Sequence, residues 1–191
     1  GIEDLVQKMK AGSSAIVAQV VEAMTTNETF FFRDKIPFEH FRGSIMPEML
    51  KARAGRKSIR IWCAAGSTGQ EPYSLAMALK EMGRQIEDFR IEIVATDISL
   101  EVLEKAKAGI YSQFEVQRGL PIHMLLKYFS QSGEMWQLSP DIRAMVQFRP
   151  LNLLADFSKN GIFDLVVCRN VLIYFDQETK IDVIDRLARG M

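Results

Sequence analysis

The sequence has few of the residues that disulfide-rich proteins, metal sites and membrane spans require. It contains two cysteines and two histidines, and none of its apolar runs approaches the ~20 residues that cross a bilayer. Cys63 and Cys168 each lie in an apolar run, which favours buried thiols in a reducing cytoplasm over a disulfide. His40 and His123 are far apart and lack the spacing of metal ligands, so we expect no metal site.

Neither sign of charge is in excess, because 24 lysines and arginines balance 24 aspartates and glutamates. This balance argues against wholesale binding to nucleic acid or to a membrane surface. No signal peptide is visible, and we expect a cytoplasmic protein. With 191 residues, 48% of them apolar, the chain can form one domain with a sizeable core, or one domain and a small extra piece.

The spacing of apolar residues predicts helices and strands that alternate along most of the chain. The predicted elements are helix 1–24, helix 38–54, strand 60–64, helix 71–82, strand 90–96, helix 99–108, strand 146–148, strand 163–168 and helix 176–188. Strands that alternate with helices predict an α/β fold with a mostly parallel sheet. Residues 111–144 break this pattern with scattered aromatics, polar turns and two prolines, which indicates an inserted subdomain of short elements.

Small or polar residues follow the predicted strands. Gly66 follows the first strand, Asp97 the second, Asn152 the third and Asn170 the fourth. Parallel sheets bind ligands at the carboxyl ends of their strands, so we expect these residues to converge on one edge. A glycine turn lets the backbone approach a ligand, and an acid at a strand end can accept hydrogen bonds from ribose hydroxyls. The pattern therefore predicts a nucleoside-binding site.

Structural explanations stay open for each of these residues. The turn at Gly66 and Gly69 lacks a complete G-x-G-x-x-G pattern, and ordinary turn chemistry would explain it. Glu71 could serve the helix dipole. Asp97 could cap the helix that follows, although Ser99 is better placed to do so.

The polar residues beside two aromatic segments are less specific by themselves. Arg33 follows Phe30-Phe31-Phe32, and a solvated surface arginine is the simpler interpretation. Packing in an amphipathic segment would explain Tyr174. Arg169 and Asn170 need hydrogen-bond partners if they are buried.

Taken together, five segments resemble one known family. They are T-T-N-E-T-F-F-F-R at 25–33, A-A-G-S-T-G-Q-E-P-Y-S at 64–74, A-T-D-I at 95–98, N-L-L at 152–154 and F-D-L-V-V-C-R-N-V-L-I-Y-F at 163–175. In order and spacing they are similar, over about residues 20–191, to the chemotaxis receptor glutamate O-methyltransferases of the CheR type. The first and last segments are the most specific.

The resemblance implies a Rossmann-like class I methyltransferase sheet that uses S-adenosylmethionine as methyl donor. It implies acceptor glutamates on the cytoplasmic helical domain of methyl-accepting chemotaxis receptors, which become methyl esters. Arg33 and Tyr174 would flank the reacting methyl group as catalytic residues, Glu71 would hold the amino acid end of the donor, and Asp97 its ribose. By matching position, the implied donor-binding residues are Asn27, Thr29, Arg33, Gly66, Glu71, Asp97, Asn152, Leu153, Arg169 and Asn170.

The resemblance also implies a domain organisation. Residues 1–24 would be the end of an N-terminal helical domain or a linker, and residues 25–191 the methyltransferase domain, with 111–144 as a receptor-facing β-subdomain. The chain ends before the last strands of this fold, so we expect a partial sheet whose 163–168 strand is an exposed edge. The short, arginine-free stretch 130–136 predicts that the chain does not bind a receptor pentapeptide tightly.

Two other functions remain open at this stage. One is a non-catalytic module that binds the donor or its product, or docks on receptors, and the missing strands favour it. The other is a methyltransferase that acts on a small molecule or on nucleic acid. The zero net charge and the receptor-facing insertion argue against nucleic acid.

Overall fold

The fold is built on a four-stranded parallel sheet. A computed structural model describes residues 2–12, 14–24 and 28–191. The sheet contains β1 (Ser58–Cys63), β2 (Arg90–Asp97), β6 (Val146–Pro150) and β7 (Leu165–Val167), in the order β6-β2-β1-β7. A second, antiparallel sheet has the order β3-β5-β4 and consists of β3 (Ile110–Ser112), β4 (Phe129–Ser132) and β5 (Met135–Leu138). The predicted α/β class is therefore confirmed.

Helices connect and flank these strands. They are α1 (Ile2–Lys10), α2 (Ser14–Met24), α3 (Ile36–His40), α4 (Met46–Ala52), α5 (Gln70–Glu81), α6 (Leu100–Ala108), α7 (Gln113–Gln117), α8 (Ile122–Tyr128), α9 (Pro140–Arg143) and α10 (Gln177–Arg189). A π-helical segment, Phe41–Ile45, joins α3 to α4, and short 3₁₀ turns occupy Gly83–Ile86, Ser158–Asn160 and Leu172–Tyr174. None of the helices within the described residues is long and apolar enough to cross a membrane.

Local signals placed several element ends correctly. The Ser99 hydroxyl accepts a hydrogen bond from the Val102 N–H at the start of α6, and Gly109 ends that helix with a φ of 62°. Asp176 caps α10 by accepting from the Thr179 N–H. Such caps depend on neighbouring residues only, so sequence can reveal them.

Some element predictions were wrong in extent. The stretch predicted as helical over 1–24 forms two helices, with Gly12 at a φ of 79° in the turn after α1. The helix predicted over 38–54 is interrupted, because the π-helical segment Phe41–Ile45 separates α3 from α4. The strand predicted over 163–168 is limited to Leu165–Val167, because only residues 165–167 pair with β1. β7 is an edge strand of the described sheet. The expectation that the sheet is partial at this edge stays a prediction.

Apolar side chains cover both faces of the sheet. One cluster packs Ile59, Ile61 and Ile93 with side chains from α5 and from the antiparallel sheet. The other packs Trp62 and Val94 with residues that include Val183 and Leu187 of α10. Burial on both faces explains why the I-W-C part of β1 and the I-V-A part of β2 are continuous apolar runs.

The loop before β7 is held to β1 by a buried carboxylate. Asp164 accepts hydrogen bonds from the Arg60 N–H at 2.8 Å, Arg53 Nε at 2.7 Å and Arg56 Nη2 at 2.7 Å. Burial alone would raise the pKa of Asp164, but these donors outweigh it and hold the pKa below its usual range. Asp164 therefore joins the segment 53–60 to the last strand.

Replacing Asp164 by alanine is expected to lower the free energy of unfolding by about 2–3 kcal/mol, because several donors lose a charged acceptor. Because the folded-state pKa is depressed, the difference from wild type should be full above the ordinary aspartate pKa of about 4. It should shrink as the pH falls through the folded value. Urea unfolding of both proteins at several pH values measures this difference in the free energy of unfolding. Asp88→Ala, which removes an exposed ion pair with Lys57, is the control and should cost under about 0.5 kcal/mol.

Candidate active site

A cavity of about 370 Å³ opens at the carboxyl ends of the parallel strands. Six separate segments of the chain contribute to it. The lining residues are Met24, Glu28, Thr29, Phe30, Arg33, Ala64, Ala65, Ser67, Glu71, Asp97, Ile98, Leu151, Asn152, Leu153, Leu154, Arg169, Asn170, Val171, Tyr174 and Phe175. The strand ends therefore converge on one edge of the sheet, as predicted.

Asp97 is the last residue of β2, and its buried carboxylate accepts hydrogen bonds from the turns that follow β1 and β2. Its Oδ2 accepts from the Ser67 N–H at 2.9 Å, and its Oδ1 accepts from the Ser99 N–H at 3.0 Å. Burial raises the pKa of Asp97, and the N–H donors of Ser99 and Ser67 partly oppose that shift. A carboxylate offers about four acceptor positions, so both oxygens can still accept from ligand hydroxyls. Ser99, not Asp97, caps the following helix through its side chain.

The turn after β1 is tightly packed against its neighbours. The Gly66 N–H donates to the Thr96 carbonyl at 2.8 Å, and a Cβ on Gly66 would lie 3.0 Å from that of Ala95. Gly69 has a φ of 98°, and a Cβ there would lie 2.9 Å from the Tyr111 hydroxyl. Gly66 is buried, while its neighbours Ala65 and Ser67 line the cavity. Glycine is favoured at Gly69 by the positive φ and at Gly66 by the close approach of Ala95.

A partly buried ion pair lies beside this turn. Arg169 Nη1 donates to Glu71 Oε2 at 3.1 Å, and the two side chains are 20% and 13% exposed. Burial raises the pKa of Glu71 to about 7, although the positive charges of Arg169 and Arg33 act to lower it. Glu71 can therefore bind a cation when it is ionised, and its charge changes near neutral pH.

Arg169 also holds the loop before α3. Its Nη2 donates to the Arg33 carbonyl at 3.0 Å and to Asp34 Oδ2 at 2.8 Å. In that loop Phe32, Asp34 and Lys35 have φ values of 51°, 68° and 38°. Positive φ is unfavourable for residues other than glycine, so tertiary contacts such as these must maintain the loop.

The Arg33 side chain turns back over its own segment. Its Nη1 donates to the Glu28 carbonyl at 2.8 Å, and its guanidinium lies 5.6 Å from the centre of the Phe30 ring. Arg33 and Thr29 are half-buried and line the cavity. Arg33 is therefore a cation at the cavity, unlike the solvated surface arginine that composition alone favoured. Asn27, predicted to bind the donor, lies outside the described residues.

The residues after β6 and β7 complete the opposite wall. Asn152 is exposed, and its Oδ1 accepts from the Leu154 N–H at 2.9 Å, while Leu153 is buried. Asn170 has a φ of 59°, and Tyr174 is 58% exposed. A core role for Tyr174 is thus excluded, and its hydroxyl-bearing ring is available at the cavity.

Several residues at or near the cavity were not predicted from the sequence. Glu28, Phe30 and Ile98 line the cavity beside predicted residues, and their places next to Thr29 and Asp97 were a usable signal. No sequence pattern pointed to Glu22 of α2, whose carboxylate accepts from the Leu100 N–H at 2.7 Å and from the Ser99 hydroxyl. Glu22 therefore joins α2, across 78 positions, to the start of α6 next to Asp97.

The cavity therefore combines chemically distinct parts. A buried carboxylate can accept hydroxyl hydrogen bonds, an acid and a guanidinium can bind a zwitterionic group, and apolar side chains such as Ile98 and Leu153 can contact a base. Arg33 and Tyr174 supply a cation and a hydroxyl at the same cavity. This arrangement fits a nucleoside joined to an amino acid, which is the chemistry of S-adenosylmethionine.

Comparisons with known proteins give a consistent result. The family described as CheR methyltransferase, SAM binding domain, matches residues 27–191. The chain is 45% identical to Chemotaxis protein methyltransferase 1 of Pseudomonas aeruginosa, over 96% of this chain and 68% of that relative. It is 42% identical to Chemotaxis protein methyltransferase Cher2 of Pseudomonas putida, with the same coverage. The crystal structure of DszA carbon methyltransferase is similar with a TM-score of 0.46 and 20% identity, over 93% of this chain and 37% of that one, a likeness too low to carry an argument.

Proposed function

The chain belongs to the CheR methyltransferase family through its S-adenosylmethionine-binding domain, and on that premise we propose that it methylates glutamate side chains of chemotaxis receptors. One observation carries the proposal. A single cavity brings together Asp97, Glu71, Arg33 and Tyr174, which come from four separate segments of the chain.

The donor would lie along the strand ends. Asp97 would accept hydrogen bonds from the ribose hydroxyls, and Glu71 would bind the donor's ammonium group. Arg169 and Asn170 would contact the adenosine or methionine part, with Asn152, Leu153 and Thr29 completing the contacts. In this proposal Arg169 also keeps Arg33 in place, since it binds the Arg33 carbonyl at 3.0 Å.

When bound, the donor supplies an activated methyl group, whose bond to sulfur breaks as an acceptor carboxylate oxygen forms the new bond, leaving a neutral thioether. The acceptor is already ionised near pH 7, since its ordinary pKa is about 4.3. No proton needs to be removed, so the chain needs no general base. Its main tasks are orientation and exclusion of water, and orientation can supply about 7–11 kcal/mol.

Arg33 and Tyr174 would orient the acceptor. A guanidinium can hold a carboxylate by charge-assisted hydrogen bonds, and the Tyr174 hydroxyl would contact the reacting groups from the other wall. The antiparallel sheet of β3, β4 and β5 would face the receptor. Its β4–β5 turn is short, Ser132 to Met135, so we still expect no tight binding of a receptor pentapeptide.

The first test is isothermal titration calorimetry of this chain with S-adenosylhomocysteine, followed by transfer of labelled methyl groups to receptor-containing membranes. We expect micromolar or tighter binding, and label that alkali releases as methanol, as from an ester. Receptors with their acceptor glutamates replaced by alanine are the control. Binding without transfer would identify a non-catalytic module, and label that resists alkali would exclude glutamate as acceptor.

Donor binding is expected to depend on pH through Glu71. Because burial raises the pKa of Glu71 to about 7, the affinity for S-adenosylhomocysteine should fall as the pH is lowered from 7.5 to 5.5, where the acid becomes neutral. The same raised pKa means that Glu71 favours the folded state most at low pH and loses that contribution as the pH rises through about 7. Titration calorimetry across this range measures the affinity. Glu71→Gln should bind more weakly with a flat profile, and an unchanged slope would assign the dependence to another group.

A further inference from the structure

Two guanidinium groups from different parts of the chain lie close to the Phe30 ring. The Arg33 guanidinium is 5.6 Å from the centre of this ring, and the Arg118 guanidinium is 4.3 Å from it. A guanidinium over an aromatic face is attracted by the ring quadrupole, whose face carries partial negative charge. Phe30 lines the cavity, so Arg118 contacts the cavity wall through this ring.

The same two arginines also bind one glutamate. Arg118 Nη2 donates to the Glu28 carboxylate at 3.1 Å, while Arg33 Nη1 donates to the Glu28 backbone carbonyl at 2.8 Å. Arg118 thus contacts both Glu28 and Phe30, and both residues contact Arg33. The segment 28–30 has no regular secondary structure, so side-chain contacts of this kind determine its conformation.

The backbone beside Arg118 is pressed against the same segment. Gly119 has a φ of 82°, and a Cβ on it would lie 2.0 Å from the Phe31 carbonyl oxygen. No other residue type fits at this distance. Val116 and Leu120 are buried on either side, so the backbone that carries Arg118 is anchored in the core.

We propose that Arg118 is a positioning residue for methyl transfer: through Phe30 and Glu28 it holds the loop that presents Arg33. Arg118 directly follows α7 in the region of the antiparallel sheet, and it is not among the described residues that line the cavity. The contact therefore links the proposed receptor-facing subdomain to the proposed catalytic loop. This inference rests on the proposed function.

Arg118→Ala is expected to lower kcat about fivefold, the size expected for loss of one partly exposed cation–π contact and ion pair. The dissociation constant of S-adenosylhomocysteine should change less than twofold, because Asp97 and Glu71 are untouched. Arg118→Lys keeps the charge and should stay within twofold of wild type in kcat. Hydrogen exchange of the amides in residues 28–34 should be faster in the alanine variant and near normal in the lysine variant.

Lys127→Ala is the matched control. Lys127 belongs to the same region, pairs with Glu81 at 2.7 Å and lies 5.2 Å from the centre of the Tyr128 ring, and both of these partners are outside the loop. It should leave kcat and the exchange of 28–34 unchanged. Wild-type kcat in Arg118→Ala, or equal defects in the alanine and lysine variants, would overturn the inference. If the wild-type chain transfers no methyl groups, the proposed function fails, and unchanged exchange in 28–34 would then refute the positioning contact separately.

Discussion

Replacing Arg33 by alanine is expected to lower kcat for methyl transfer about 100-fold, the loss that a misplaced reacting group can cause. Arg33 lines the cavity beside Phe30 and Glu28, and we propose that it orients the acceptor carboxylate. Donor affinity should change little, because the Arg33 carbonyl that Arg169 binds is retained in the variant. Single-turnover transfer with saturating donor, together with calorimetry, separates the two effects.

Arg42→Ala is the control for this experiment, since Arg42 is exposed on the π-helical segment that follows α3. It should match wild type in both measurements. A large loss of donor affinity in Arg33→Ala with unchanged turnover of bound donor would contradict the catalytic role. It would make Arg33 a donor-binding residue instead.

Replacing Asp97 by alanine is expected to weaken S-adenosylhomocysteine binding about 100-fold. Each hydrogen bond from a hydroxyl to a charged acceptor contributes about 1.5–3 kcal/mol, and a factor of ten corresponds to about 1.4 kcal/mol. Asp97→Asn keeps one acceptor oxygen without the charge and should fall between alanine and wild type. Titration calorimetry of the three proteins gives the order directly.

The Asp97 variants need a folding control, because Asp97 also accepts from the Ser67 and Ser99 N–H groups. Urea unfolding should therefore accompany each titration. Glu101→Ala removes an exposed acid from the first turn of α6 and should leave binding unchanged. Folded Asp97→Ala with wild-type affinity would remove the ribose role.

The two variants together distinguish an enzyme from a binding module. In an enzyme, Arg33→Ala lowers turnover and Asp97→Ala lowers donor affinity, so the two defects lie in different measurements. In a module that only binds donor or product, neither wild type nor Arg33→Ala would transfer methyl groups.

Features that depend on neighbouring residues could be predicted from the sequence. The strand, turn and helix around Gly66, the acid at the end of β2 and the Ser99 cap lie where their local patterns indicated. Parallel topology also followed, because alternating strands and helices allow few other arrangements. The extent of β7 did not follow, because pairing with β1 limits that strand to three residues.

Contacts between distant residues could not be predicted in this way. Arg169 binds the Arg33 carbonyl across 136 positions, Arg118 binds Glu28 across 90, and Glu22 binds the Leu100 N–H across 78. Each contact joins an arginine or glutamate side chain to a distant partner that is set only when the sheet has formed. The exposure of Tyr174 belongs to the same group, since an amphipathic pattern does not tell which side of a short 3₁₀ turn faces a cavity.

By itself, the sequence determined the α/β class, the strand ends that carry Gly66, Asp97, Asn152 and Asn170, and the family, because caps, turns and motifs are properties of short segments. Tertiary structure alone decided how Glu71, Arg169 and the strained loop before α3 combine. Burial raises the pKa of Glu71 to about 7, and three residues with positive φ persist because distant side chains hold them. Burial and long-range hydrogen bonds exist only in the folded chain, so no local pattern encodes them.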